Sequence, residues 1–219
     1  MIKKVRISKL VLDDNLYPRL HLDMYHVNEL VEAIRAGVSL PPITVDSSSY
    51  KVTDGRHRIE AFKKLDLKFI DTELKEYASE AEMFADAIRL NASHGRALSV
   101  MDEVHCLAKA QEFKLEQSIV ATLLNITTER AEELVSNRLA TSGKENIVLK
   151  GSTAWMAGRK MTDGEVAYNR TAGGPRQSFY INQVIAMLEN DAVNWEATQV
   201  SNGLKKLFGL LKEALAVKA

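Results

Sequence analysis

The chain has 219 residues, 46% of them apolar, enough for two small domains or one larger one with a buried core. Its 29 basic and 29 acidic residues cancel, which excludes a uniformly basic nucleic-acid coat and requires any nucleic-acid contact to come from local patches. Cys106 is the only cysteine, so no intramolecular disulfide forms; with no run of about 18 apolar residues and no charged-then-apolar leader, a soluble, cytoplasmic protein with no membrane partner is expected.

Residues 2–12 set Ile2, Val5, Ile7, Leu10 and Leu12 among Lys and Arg, and read as a strand with its lead-out. Tyr25 to Ala36 places Val27, Leu30, Val31 and Ile34 at helical spacing and stops at Gly37. Ser39 to Val52 reads as a hairpin that turns at Ser47-Ser48-Ser49. A short helix over Ile59 to Leu65 and a strand over Phe69 to Leu74 follow. Ser79 then caps a helix that runs to Leu90, with Glu82 three residues on in capping-box spacing. These elements predict a small α+β domain over residues 1–96.

The rest reads as helical. Ser99 caps a helix from Val100 to Phe113 with Asp102 in the box position. Glu116 to Leu124 and Thr128 to Leu139 are two further helices, and residues 97–142 form one region with them. Residues 143–219 are predicted as a helical C-terminal region. In it a Gly-, Ser-, Thr- and Asn-rich stretch carries one short helix over Thr162 to Tyr168, and amphipathic helices cover Ser178 to Glu189 and Gly203 to Val217.

The richest local signal is Val52-Thr53-Asp54-Gly55-Arg56-His57-Arg58. A strand, a glycine turn and a helix N-terminus make an anion cradle, because the first backbone N–H groups of the helix have no internal partner and the helix dipole favours negative charge. Gly55 allows close approach, and the forks of Arg56 and Arg58 match phosphate oxygens. Asp54 and His57 are the catalytic candidates if the site does proton-transfer chemistry. A solvated basic turn is the plain alternative. Cys106 is expected to be a core thiol, and Trp195 to anchor the helix before it.

With Leu40-Pro41-Pro42-Ile43-Thr44-Val45 before it and Ala61 after it, this stretch resembles the ParB/sulfiredoxin superfamily. Leu90-Asn91-Ala92-Ser93-His94-Gly95-Arg96-Ala97-Leu98-Ser99 is similar to the second phosphate-contact box of ParB-like proteins. Asp13-Asp14-Asn15-Leu16-Tyr17-Pro18-Arg19 resembles the lead-in whose arginine approaches the nucleotide. The resemblance implies that Arg19, Thr53, Gly55, Arg56, His57, Arg58, Asn91 and His94 bind a nucleoside triphosphate, CTP by family, with Mg2+ held mainly by the phosphates and no protein metal site. Two departures matter. Leu90 stands where ParB proteins usually carry Glu, which leaves a weak triphosphatase (CTPase) activity and binding without turnover both open. Arg56 stands where sulfiredoxin carries its nucleophilic Cys, which excludes that reaction.

Gln117 to Leu134 fits a helix-turn-helix. Ala121 falls at the helix contact, Asn125 at the left-handed turn and Ile126 beneath it; Thr127 caps the second helix, and Ala131 and Leu134 face inward. Gln117, Thr127, Thr128, Arg130 and Arg138 are the candidate DNA contacts, although Glu129, Glu132 and Glu133 make the second helix acidic. The reading is a nucleotide-responsive protein that binds double-stranded DNA as a homodimer, in plasmid, phage or chromosome partition or in transcriptional control. The alternative is an enzyme, a small-molecule kinase or a nuclease, that uses the same cradle.

Overall fold

A computed structural model describes residues 2–93, 97–172 and 177–216. The chain divides into two compact units, residues 1–173 and 174–219. No helix among the described residues is long and apolar enough to cross a membrane.

The first unit opens with strand β1 (Ile2–Arg6), helix α1 (Met24–Arg35), strands β2 (Ile43–Asp46) and β3 (Val52–Asp54), helix α2 (Arg56–Lys64), strand β4 (Phe69–Lys75) and helix α3 (Glu80–Ser93). The sheet order is β1-β4-β2-β3, with β2 parallel to β4 and the other pairs antiparallel. All four residues of β2 are buried, as expected of an inner strand covered on both faces. Ile43, Val45, Val52, Ile59 and Ile70 form the core beneath α2, and Val27 and Val31 of α1 close on Ala61. The predicted hairpin is present: Asp46 takes Ser48, Ser49 and the Ser49 N–H at the turn, and Tyr50 occupies the left-handed region at φ 58°.

The second half of this unit holds α4 (Val100–Glu112), α5 (Gln117–Leu124) and α6 (Thr128–Arg138). The Ser99/Asp102 capping box forms as predicted. Asn125 turns the chain at φ 57°, ψ 38°, and the Thr127 hydroxyl accepts the Arg130 N–H at 3.2 Å. Ala121, Ala131 and Leu134 are buried with Phe84 and Ile88 of α3 and Val104 and Leu107 of α4, so α3 shares its core with the helices that follow it. Cys106 lies in that core, its thiol pushed well up by burial.

The prediction of an all-helical region after residue 96 needs correcting. Strands β5 (Leu139–Ser142) and β6 (Glu145–Val148) form an antiparallel ribbon directly after α6, turning at Gly143-Lys144. A 3₁₀ segment (Gly151–Met156) and α7 (Asp163–Thr171) complete the unit. Leu139-Ala140 and Ile147-Val148-Leu149 are apolar runs too brief to show a strand's period, and they pass for loop. The second unit holds α8 (Gln177–Glu189) and α9 (Thr198–Ala216). Trp195 is 59% exposed and does not anchor a helix.

Candidate functional site

A cavity of about 640 Å³ lies over the β3–α2 junction, lined by Tyr17, Arg19, Thr53, Asp54, Gly55, Arg56, His57, Arg58, Leu90 and Asn91 among others. The predicted cradle residues are therefore gathered at one place. His94 lies outside the described residues.

Helix α2 begins at Arg56, three residues earlier than predicted, so Arg56, His57 and Arg58 form its first turn rather than a loop before it. Gly55 is the N-cap at φ 107°, and no side chain caps the helix. The first-turn amides are thus left for an external acceptor. A Cβ at Gly55 would stand 2.3 Å from Ile43 Cγ2 and 3.2 Å from Arg58 Nη2, so the cradle admits only glycine.

Arg56 carries the most informative geometry. Its Nη1 donates to Asp14 Oδ1 at 2.6 Å, and its guanidinium lies 4.4 Å from the centroid of the Tyr17 ring. The Arg56 side chain is only 11% exposed, yet Nε and Nη2 are buried without a partner, as is the Tyr17 hydroxyl. Burial pushes the Tyr17 phenol up to about 12, so it stays a neutral donor at physiological pH. These are three buried donors without acceptors, on two residues that line the cavity, and donors of this kind call for oxygen acceptors. Tyr17 was missed as a site residue: an aromatic before Pro-Arg carries no binding signal in sequence alone.

The remaining arginines do other work. Arg58, predicted as a phosphate fork, instead donates through Nη1 to the Pro41 and Pro42 carbonyls, each at 2.8 Å, and pairs through Nη2 with Asp54. It ties the Leu40–Pro42 wall to the cradle. Arg19, 8% exposed, donates to Asn91 Oδ1 and to the Ala97 carbonyl, each at 3.3 Å, and lies 3.9 Å from Asp102. Asn91 Nδ2 in turn donates to the Ala87 carbonyl at 2.9 Å. Thr53 hydrogen-bonds the Thr44 carbonyl and touches the Tyr77 hydroxyl, which donates to Asp86.

Neither acid–base candidate is poised as a base. Asp54 is paired with Arg58. His57 Nε2 accepts the Asp23 N–H at 3.1 Å, which puts the ring proton on Nδ1. Desolvation, with Arg19 and His26 nearby, lowers its pKa to about 4, so the ring is neutral. No group of three or more His, Cys, Asp or Glu side chains able to hold a metal is found among the described residues.

The candidate DNA residues fall together on α5 and α6, with less to offer than predicted. Thr127, Thr128 and Arg130 are exposed, but Arg130 pairs with Glu133 at 2.6 Å. The Gln117 amide nitrogen is buried, so that side chain turns inward rather than out. Arg138 ends α6 beside Gly151.

The fold and cavity define a small α+β domain with a cavity over a strand–glycine–helix junction. Residues 1–92 match the ParB N-terminal domain family. Among solved structures, the chain is similar to the C-terminally truncated chromosome-partitioning protein ParB of Caulobacter crescentus complexed to the centromeric parS site: 19% identity, 60% of this chain, 69% of that one, TM-score 0.45. The same protein complexed with CTP-gamma-S gives 19% identity, 61% and 76% coverage and a TM-score of 0.40. Sulfiredoxin from Arabidopsis thaliana gives 29%, 35% and 86%, and 0.31. No curated protein matches the chain.

Proposed function

We propose that the chain is a ParB-type DNA-binding protein whose cradle takes a nucleoside triphosphate, CTP by family, and that it acts in DNA partition or in transcriptional control. The observation that carries this reading is the pair of buried, unpartnered Arg56 nitrogens beside the uncapped start of α2. The cavity volume falls within the range of small-ligand sites. Gly55 lets the chain turn into α2 at φ 107° directly against Ile43, where any side chain would clash. Arg56, Tyr17 and the first-turn amides would hold phosphate oxygens; Arg19 and Asn91 would close the other side; Mg2+ would be carried by the phosphates. Binding without turnover suits the site better than hydrolysis, because Leu90 stands at the family's Glu position and both candidate bases are engaged.

In this reading residues 1–96 bind nucleotide and residues 97–142 bind DNA, with α5 and α6 as a helix-turn-helix. Its support is local: the left-handed Asn125, the Thr127 cap and the small buried Ala121 and Ala131. A homodimer reading an inverted repeat would pair through the C-terminal region, where Leu207, Phe208, Leu211 and Leu215 of α9 are exposed. The test is equilibrium binding of labelled CTP, ATP, GTP and UTP, with and without Mg2+. Selective CTP binding is expected, and ATP selectivity or no binding at all would overturn the nucleotide assignment.

A further inference from the structure

We infer that the β5–β6 ribbon and the segment running on to Lys160 form a second DNA-contact surface, one that grips the duplex backbone beside the groove entered by α6. The inference rests on the DNA-binding reading above and adds the element that supplies its charge.

Helix α6 is poorly charged for its proposed role. Glu129, Glu132 and Glu133 outnumber Arg130 and Arg138, and Arg130 is paired with Glu133. Immediately after it the balance reverses: residues 139–160 carry Lys144, Lys150, Arg159 and Lys160 against Glu145 alone. Lys144 and Lys160 are exposed and have no ion-pair partner among the described residues. Arg159 lies with its guanidinium 5.3 Å from the centroid of Trp155, which is 64% exposed. Arg159 also pairs with Glu165 at 3.2 Å, so it orients the indole more than it offers a free charge.

This surface is rigid. The Leu149 N–H donates to the Arg138 carbonyl at 2.8 Å, tying the ribbon to the end of α6. The Gly158 N–H bonds the Leu139 carbonyl at 2.8 Å, and Thr141 exchanges bonds with Arg159 and Met161, so residues 158–161 lie along β5. Ala140, Leu149, Met156 and Met161 are packed beneath. The backbone that carries the cations is therefore ordered before any partner arrives, which lowers the ordering cost of binding.

The reach is appropriate for DNA. Ribbon strands of four residues each span roughly 13 Å. That is close to the ~12 Å width of a major groove. With α6 in the groove, Lys144 at the ribbon tip reaches the phosphates of the groove wall. Trp155 supplies an apolar face for the sugar edge, with a cation beside it. Backbone phosphates are read without regard to base, so the contact is measurable before a DNA site is known.

The experiment is affinity of the full chain for a fluorescein-labelled random-sequence duplex across a salt series, for the wild type and for Lys144→Gln/Lys160→Gln. The double variant is expected to lose about two units of the log–log salt slope, roughly 0.9 per phosphate contact. In a Trp195→Phe background, Trp155 emission should change when duplex is added. Duplex binding with an unchanged slope and unmoved Trp155 emission would overturn this surface and leave the DNA reading standing. A wild-type chain that binds no duplex at low salt would overturn both. Tighter binding to a single-stranded oligonucleotide, with the same Trp155 response, would overturn the duplex assignment in favour of a base-stacking platform.

Discussion

Replacing Arg56 by methionine should leave the empty protein at least as stable as before and at the same time cripple nucleotide binding. The opposed signs follow from the partners of this side chain. The Asp14 partner is 95% exposed, so losing that ion pair costs about 0–1 kcal/mol. Losing the stack on Tyr17 costs about 0.5–2 kcal/mol. Against this, Nε and Nη2 are buried and unpaired, and each such donor burdens the folded state by about 1–3 kcal/mol. Taking midpoints, the losses come to about 2 kcal/mol and the relief to about 4, a net gain of about 2 kcal/mol. Methionine keeps the apolar length, so little cavity is opened. On the binding side, one charge-assisted contact is worth about 1.5–3 kcal/mol, a roughly ten- to hundred-fold loss of CTP affinity. Urea unfolding without ligand measures the first quantity and equilibrium CTP binding the second. A variant that loses more than about 1 kcal/mol of stability while binding CTP as well as the wild type would show Arg56 to be a structural residue, and the anion-cradle argument would fail.

Gly55→Ala combines a left-handed backbone with a clash on Ile43; a loss of about 2–5 kcal/mol in urea unfolding is expected, and a loss below about 1 kcal/mol would mean that the cradle backbone is free to relax. His57 bears on pH dependence: its pKa is about 4 in the folded state against an ordinary 6.5. The unfolded chain therefore takes up this proton first, and the stability that the neutral ring contributes is complete above about pH 6.5 and lost as pH falls toward 4. His57→Gln should flatten the urea midpoint across that window relative to the wild type; parallel profiles would contradict a neutral, desolvated ring. Asn125→Ala places a Cβ residue at φ 57° and should cost about 1–2 kcal/mol in thermal or urea unfolding, with Asn125→Gly costing less. Equal losses for the two would refute the left-handed turn.

Much of the fold was legible because local signals agree with their surroundings. The Ser99/Asp102 box, the Thr127 cap and the left-handed Asn125 are decided within a few residues, and each forms as its spacing predicts. The Ser47–Ser49 turn is likewise local, held by the single carboxylate of Asp46. The ribbon at 139–148 escaped because two four-residue strands carry too little periodicity to be told from loop.

The cradle is divided in the same way. Sequence by itself determined that a glycine turn with Arg56, His57 and Arg58 joins an inner strand to a helix, because glycine's backbone freedom and the strand and helix periods are properties of the residues themselves; that the three residues form the helix's first turn came from the structure. It did not determine which arginine is left to bind. Only the tertiary structure folded Arg58 back onto the Pro41 and Pro42 carbonyls and Asp54, turned His57 Nε2 to the Asp23 amide, and buried Arg56 against Tyr17 with two donors unmet. Those partners lie between 4 and 39 residues away in the chain, and whether a donor is satisfied depends on which distant acceptor the packing brings within about 3 Å of it.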